Sequence, residues 1–255
     1  MKPLDWLEEL GHFAHFAVRC LTALFAALLN PRETSRQFYR VLIGALPIGL
    51  LAGLAIGLVL WMHLRGVIAR TPAAGPEALP YLPTAVALAV ILEFAPIGAG
   101  LIVAGRTGAS LGAELGSMRI TEQIDALEVM GLSSLKQLVG PRVLACVLTL
   151  PILTVFMAVM AIGGAFVAEM LTGSLTSLQY ETNTWSGLRI EDALPAVLKT
   201  AAFGFLIGVS GCYFGLKAHG GTEGVGHAAT RVVELSTLLV LVSNVLLVRI
   251  IQLVV

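Results

Sequence analysis

Residues 112–131 read GAELGSMRITEQIDALEVMG. Five of these twenty positions are charged, Glu114, Arg119, Glu122, Asp125 and Glu128, yet the flanking segments are almost pure hydrocarbon. Tyr81–Gly105 carries only Glu93, and Val143–Ala168 carries no charge. A run of roughly 20 apolar residues crosses a bilayer as a helix. The quoted stretch is therefore an excursion into water between two membrane spans.

The rest of the chain fits that frame. Of its 255 residues, 57% are hydrophobic and 13% charged, with mean hydropathy +0.89. Soluble domains carry about 25% charged residues. Further apolar runs occupy Val41–Met62, Thr200–Leu216 (extending back to Ala193) and Val232–Val255. Lys199 falls near the end of the extended fourth run, where a lysine can snorkel towards water. Glu234 and Arg249 fall near the ends of the last. The expectation is an all-α membrane protein with five spans, forming a single domain over 1–255.

The first forty residues predict something else. Leu10–Leu29 is apolar but holds His12, His15 and Arg19. Leu4, Leu7, Leu10, Phe13 and Phe16–Ala17 recur at helical spacing, with Glu8, Glu9 and His12 on other faces. That pattern fits a helix lying in the membrane interface, followed by the basic rim NPRETSRQFYR, residues 30–40. Acidic residues before any apolar run do not fit a cleavable signal peptide.

Lys and Arg mark the cytoplasmic side. With the N-terminus inside, the cytoplasmic segments hold Lys2, Arg19, Arg32, Arg36, Arg40, Arg106, Arg119, Lys136, Arg142, Lys217 and Arg231. The far side receives Arg65, Arg70, Arg189, Lys199 and Arg249. This topology puts a loop over 106–142 in the cytoplasm, an acidic loop over 169–192 outside, and the C-terminus outside. Net charge is zero, which points away from nucleic acid. Cys20, Cys146 and Cys212 are odd in number and lie in apolar runs, so neither a disulfide framework nor a metal site is expected.

On a helical wheel, Ile120, Ile124, Leu127 and Met130 share one side, and Glu122, Asp125 and Glu128 fall roughly opposite. Thr121 is placed to cap the start of this short helix and Gly131 to close its end. Its apolar face is expected on the membrane domain and its acidic face towards a cytoplasmic partner. Upstream, Gly100, Ala104, Gly108, Gly112 and Gly116 recur every four residues, a ribbon that permits close helix approach. Gly49, Gly53 and Gly57 form a similar seam in the first span. The chain contains no phosphate loop: the nearest run, GCYFGLK at 211–217, has the wrong spacing and lacks the Ser/Thr that holds Mg²⁺. ATP and Mg²⁺ would belong to a partner, and this chain is expected to bind no cofactor.

Glu93–Val155, with AGRTGASLGAELGSMRITEQIDALEVMG at its centre and PRVLA and LPILT after it, closely resembles the MlaE/YrbE family. These are permease subunits of ABC transporters that move lipids between bacterial membranes. GGTEGVGHAATRVV, residues 220–233, is similar to that family's last cytoplasmic loop and includes Glu223 and Arg231. The resemblance implies a homodimer in the inner membrane, two ATPase subunits docked below, often a STAS-domain protein, and a periplasmic ring of MCE-domain proteins. Phospholipid would be handled between the two permeases. The insert would be the coupling helix, with Glu114, Arg119, Glu122, Gln123 and Glu128 contacting the ATPase, beside Asp125 on the acidic face.

Many members carry Arg-Glu before Gly-Pro in the second span. Here the run is LEFAP, with Leu92 in the place of the Arg and Ala95 in that of the Gly. Glu93 itself lies mid-span, where an ionisable residue costs about 2.5–3.5 kcal/mol and marks function by default. It is a candidate for the lipid cavity, for pairing with a basic group, or for a protonated structural role. Pro96 frees a backbone carbonyl nearby. A rival reading makes Glu93 the proton carrier of a secondary transporter. His12 and His15 form no convincing metal pair, the Gly-rich segment between His219 and His227 reads as structural, and no hydrolase or zinc-protease motif is present.

Overall fold

A peptide group in hydrocarbon finds no water, so a spanning segment must satisfy its own N–H and C=O groups. In a computed structural model, which describes residues 3–28, 30–70, 76–173 and 175–254, every regular element is accordingly helical. Helices are α1 (Pro3–Leu28), α2 (Pro31–Arg70), α3 (Leu82–Ala89), α4 (Ala95–Val103), α5 (Ala109–Ile120), α6 (Gln123–Val129), α7 (Gly140–Thr172), α8 (Ser177–Ser186), α9 (Ile190–Leu216) and α10 (Gly221–Val254). A 3-10 turn over Pro76–Tyr81 leads into α3, and π-helical turns occupy Val90–Phe94, Ala104–Gly108 and Leu135–Val139. Among the described residues, six helical stretches are long and apolar enough to cross a membrane: 11–28, 31–70, 78–120, 135–172, 190–216 and 221–253.

The first of these is the segment read from sequence as interfacial. By length and composition α1 meets the requirements of a span, while His12, His15 and Arg19 are all exposed on it. The side chains of Leu4, Leu7 and Leu10, and Lys2, lie outside the described residues.

Two loops read from the sequence are mostly helix. The second span does not end at Gly105: helix continues past Arg106 to Ile120, because a charged side chain can leave the hydrocarbon without any break in the backbone. Likewise 169–192 contains α8, started by a capping box in which the Thr176 hydroxyl accepts from Gln179 N–H and the Gln179 side chain accepts from Thr176 N–H. Glu169 is no loop residue. It sits near the end of α7, fully buried, where it accepts from the Trp61 indole at 2.9 Å and from Leu175 N–H at 3.0 Å.

The chain forms two compact units, the first from Met1–Gly44, Gly100–Leu150 and Ala201–Ser243. Its core gathers Cys20, Leu115, Val139, Val143, Val209 and Cys212, with Phe13 and Phe16 packed against it. Glycines thin the helix contacts here. A methyl at Gly112 would stand 2.9 Å from Val232, and one at Gly211 2.9 Å from Leu111. Gly100 and Gly108 meet Val240 and Val232 at 2.9 and 3.2 Å in the same way, and Gly116 meets Ala218 at 3.1 Å.

The second unit comprises Ala45–Ala99, Pro151–Thr200 and Asn244–Val255. Its tightest seam joins α2 and α7, with small residues on both sides. A methyl at Gly53 would lie 2.5 Å from the Met157 carbonyl oxygen, one at Gly49 2.9 Å from Leu153, and one at Gly164 2.6 Å from the Leu54 carbonyl oxygen. At Gly57 the added atom would collide with the Ala161 carbonyl. The Thr84 hydroxyl donates to the Asn183 carbonyl at 2.5 Å, tying α3 to α8. Tyr180 of α8 packs edge-on against Phe166 at 5.2 Å, and burial pushes its hydroxyl up to about 12, with the Glu169 charge acting the same way.

Backbone on the far side of the α2–α7 seam cannot yield as a flexible side chain does. Gly53→Val and Gly57→Val are each expected to destabilise the chain by about 1–3 kcal/mol through overpacking, whereas Gly66→Ala, which meets open space within α2, should lose no stability. Thermal melting of the detergent-solubilised protein is the measurement.

Candidate functional site

Pro96 organises the first site. It has no N–H for the carbonyl four residues earlier, which belongs to Leu92. The helix widens here into a π turn, Ala95 N–H reaching back to Val90, and the Leu92 carbonyl acquires a donor from elsewhere. That donor is Lys199 of α9, whose Nζ lies 2.7 Å from the Leu92 oxygen and 3.1 Å from Glu93 Oε1. The Asn244 amide of α10 donates to Glu93 Oε2 at 2.8 Å. Three helices of the second unit thus meet at one carboxylate.

This corrects the reading of Lys199 as a snorkelling residue near the membrane surface. Its side chain is only 2% exposed, whereas that of Glu93 is 38% exposed. The cation is the buried partner and the carboxylate is the one that faces out. It borders a pocket of about 310 Å³ shared with Leu92, Glu191, Asp192, Ala196, Lys199, Val248, Ile251 and Gln252. A second hollow of about 360 Å³ runs past Glu93, Asn244, Val245, Val248, Arg249 and Gln252. Asn244 is buried and its Oδ1 has no hydrogen-bond partner, which leaves an acceptor beside the carboxylate. Leu92 itself carries no charge, and Lys199 brings a cation to its carbonyl from another helix.

The second site is the acidic insert. The helix ends at Ile120, and the Thr121 hydroxyl donates back to the Ser117 carbonyl at 2.9 Å instead of capping α6. Glu122 then takes a left-handed backbone, φ 59°, which breaks the chain direction before α6. Gly131, at φ 74°, lets the chain turn away after it. Ile120 therefore belongs to α5, and the expected wheel is out of phase. Ile124 is buried and Leu127 half-buried, but Met130 is 65% and Val129 88% exposed. The insert presents an apolar tip beside its acids.

Those acids differ in how free they are. Asp125 forms an ion pair with Arg119 across the α5–α6 break. Glu128 accepts from the Ser134 hydroxyl at 3.0 Å, and Gln123 donates to Thr121 at 2.9 Å. The Glu122 side chain has no partner among the described residues, although its backbone bonds to Arg119 and Ala126. Glu114 stands apart from all of these: Arg142 donates to it at 2.8 Å and Arg40 lies 3.4 Å away, so its carboxylate is held inside the first unit. The block around Glu223 and Arg231 is the start of α10 and not a loop, which is confined to residues 217–220. Glu223 faces His227 at 3.7 Å, and Arg231 lines a hollow with Lys217 and His219. No cluster of three or more metal-ligating side chains occurs among the described residues.

Lys199, Asn244, Val129 and Met130 escape a reading of the sequence as site residues. Lys199 is 106 residues from Glu93, and Asn244 lies 151 residues away, so no local pattern joins them.

Comparison with known proteins identifies relatives along the whole chain. A family model described as "Permease MlaE" matches residues 34–250. A "Probable ABC transporter permease protein" of Rickettsia bellii is 32% identical over 246 residues, covering 96% of this chain and 93% of its own. One from Synechocystis is 34% identical over 250 residues, covering 94% and 89%. One from Porphyra purpurea is 29% identical over 225 residues, covering 88% and 84%.

Unequal burial makes the Glu93–Lys199 pair asymmetric to mutation. Glu93→Gln strands a buried ammonium, while Lys199→Met strands only the neutral Leu92 carbonyl and leaves a carboxylate that keeps Asn244 and partial exposure. Glu93→Gln should therefore cost more stability, up to about 3 kcal/mol, and Glu93→Gln with Lys199→Met should recover part of that loss. Melting temperatures of the three variants test the order.

Proposed function

The chain belongs to the MlaE permease family, an ABC transporter permease family, and from this premise we propose that it carries phospholipid between the inner and outer bacterial membranes. An ABC permease works with an ATPase, and hydrolysis then lies on that partner chain. In the proposed assembly two copies pair in the inner membrane, N-termini cytoplasmic and C-termini periplasmic, with α1 in the interface and five spans behind it. Two ATPase subunits dock on the cytoplasmic face, with a STAS-domain protein in some systems. A periplasmic ring of MCE-domain proteins receives or delivers the lipid.

The observation that carries the cargo reading is the Glu93 site. A pocket that is mostly apolar, with the Glu93–Lys199 pair on its wall and Glu191 and Asp192 also lining it, suits a molecule that is mostly hydrocarbon with a small polar end. The Glu93–Lys199 pair and the unpaired Asn244 acceptor supply the polar contacts for a headgroup, and Pro96 keeps the lysine in place. A proton carrier would instead need a carboxyl free to exchange. Lys199 and Asn244 hold both oxygens of Glu93, so the secondary-transporter reading has no observation in its favour.

The insert supports coupling. Glu122 and Glu128 offer charge to a basic groove, Val129 and Met130 offer an apolar anchor, and Arg119–Asp125 ties α6 to α5. Gln123 fixes the entry turn through Thr121. Work done on α6 would thereby reach the glycine-seamed bundle through Gly108, Gly112 and Gly116. Glu114, held by Arg142, and the α10 residues Glu223 and Arg231 would support that surface from behind.

Charge reversal of Glu122 and Glu128 together is expected to abolish lipid transfer in reconstituted proteoliposomes while the ATPase still hydrolyses ATP. Val129→Asp should weaken ATPase co-purification at least about tenfold, the scale of a lost interface anchor. Normal transfer by the charge-reversed protein would dismiss the coupling role.

A further inference from the structure

A third polar feature lies in the first unit, apart from the proposed cargo site and sharing only Glu114 with the residues given to coupling. A hollow of about 130 Å³ is bordered by Gln37, Arg40 and Gly44 of α2 and by Arg106, Ser110 and Glu114. Gly44 shapes it. The Arg106 guanidinium lies across α2 at that glycine, where a methyl group would stand 3.3 Å from Nε and 3.4 Å from Nη2. The Arg106 side chain makes no hydrogen bond or ion pair with any described residue. The one acid present, Glu114, is already taken by Arg142 at 2.8 Å and approached by Arg40 at 3.4 Å. Two guanidinium groups thus share the Glu114 carboxylate, the third, that of Arg106, borders the same hollow with no acid of its own, and positive charge is left over.

Depth makes this excess costly. The uncharged run Val41–Met62 on α2 spans about 33 Å as a helix, the thickness of the hydrocarbon layer. Arg40 stands at the edge of that run, and Gly44, with Arg106 upon it, lies one turn inside. Counterions from bulk water are scarce at this depth, while lipid phosphates sit beside it. Tyr39 and Ile43, on the same turns of α2, are exposed, so acyl chains have apolar surface to run along. A planar guanidinium presents a donor fork that matches a phosphate oxygen pair.

We propose that the Arg40–Gly44–Arg106 hollow binds the phosphate of an anionic phospholipid, held as a resident lipid and separate from transported cargo. A zwitterionic lipid fits less well, because its ammonium group would meet the surplus arginine charge. The inference does not require the chain to transport lipid, and its test involves no transport.

Native mass spectrometry of the full-length chain in detergent reads the affinity directly. Titration with dioctanoyl phosphatidylglycerol should show binding that Arg106→Ala weakens about tenfold, the scale of one charge-assisted contact. Arg106→Gln, close in shape, should show the same loss if the alanine variant does not fold. Gly44→Leu keeps every charge but displaces the guanidinium, and it should lose as much. Dioctanoyl phosphatidylcholine should bind more weakly and respond to none of these changes, and inorganic phosphate should not compete. Unchanged phosphatidylglycerol affinity in Arg106→Gln and Gly44→Leu would overturn the proposal. So would displacement of the lipid by inorganic phosphate at equal concentration, which would make the site one for a free anion.

Discussion

A proline within a membrane helix leaves a carbonyl that hydrocarbon cannot satisfy, and the arrangement around Lys199 stems from that unmet bond. The ammonium answers the Leu92 carbonyl, needs a counter-charge of its own, and finds Glu93 one residue along. Asn244 completes the carboxylate. Each partner is uncomfortable alone in a bilayer, so the set stands or falls together. The rotation of α9 and α10 about their axes is tied to the second span at this point, and the polar wall of the pocket is a result of it.

The same pairing recurs at other charges that enter the described structure. Glu169 is silenced by an indole and a backbone N–H, and Glu114 by Arg142. Buried ionic groups of this kind lock helices in register more than they add stability. Against that background, the side chains of Glu122 at the insert and of Arg106, which lies against α2 at Gly44, stand out as charged groups with interactions still to make.

Features set by local periodicity are legible in the sequence. Five apolar runs, the glycine ribbons and the position of the insert all depend on spacing within a few turns. Thr176–Gln179 also carries a readable capping signal, although the acidity of the segment suggests a loop. The features that escape depend on distance along the chain or on backbone twist. Glu169 looks like a surface acid until Trp61, 108 residues earlier, is placed beside it. Lys199 looks like an end-of-span lysine for the same reason. Met130 falls on the wrong face of the expected wheel because the left-handed residue at Glu122 resets the helical phase, and nothing in the residue type announces that conformation.

The π turn at Ala104–Gly108 gives the small-residue ribbon its geometry. In a regular α-helix, with 3.6 residues per turn, every fourth residue drifts by about 40° and a row of five wanders nearly halfway round the cylinder. A wider turn unwinds the helix locally and straightens the row, so that Gly100, Gly108 and Gly112 all look towards α10. Chain length in this segment is therefore an angular quantity. Gaining or losing a single residue there would turn everything downstream, the insert included, to a different compass bearing.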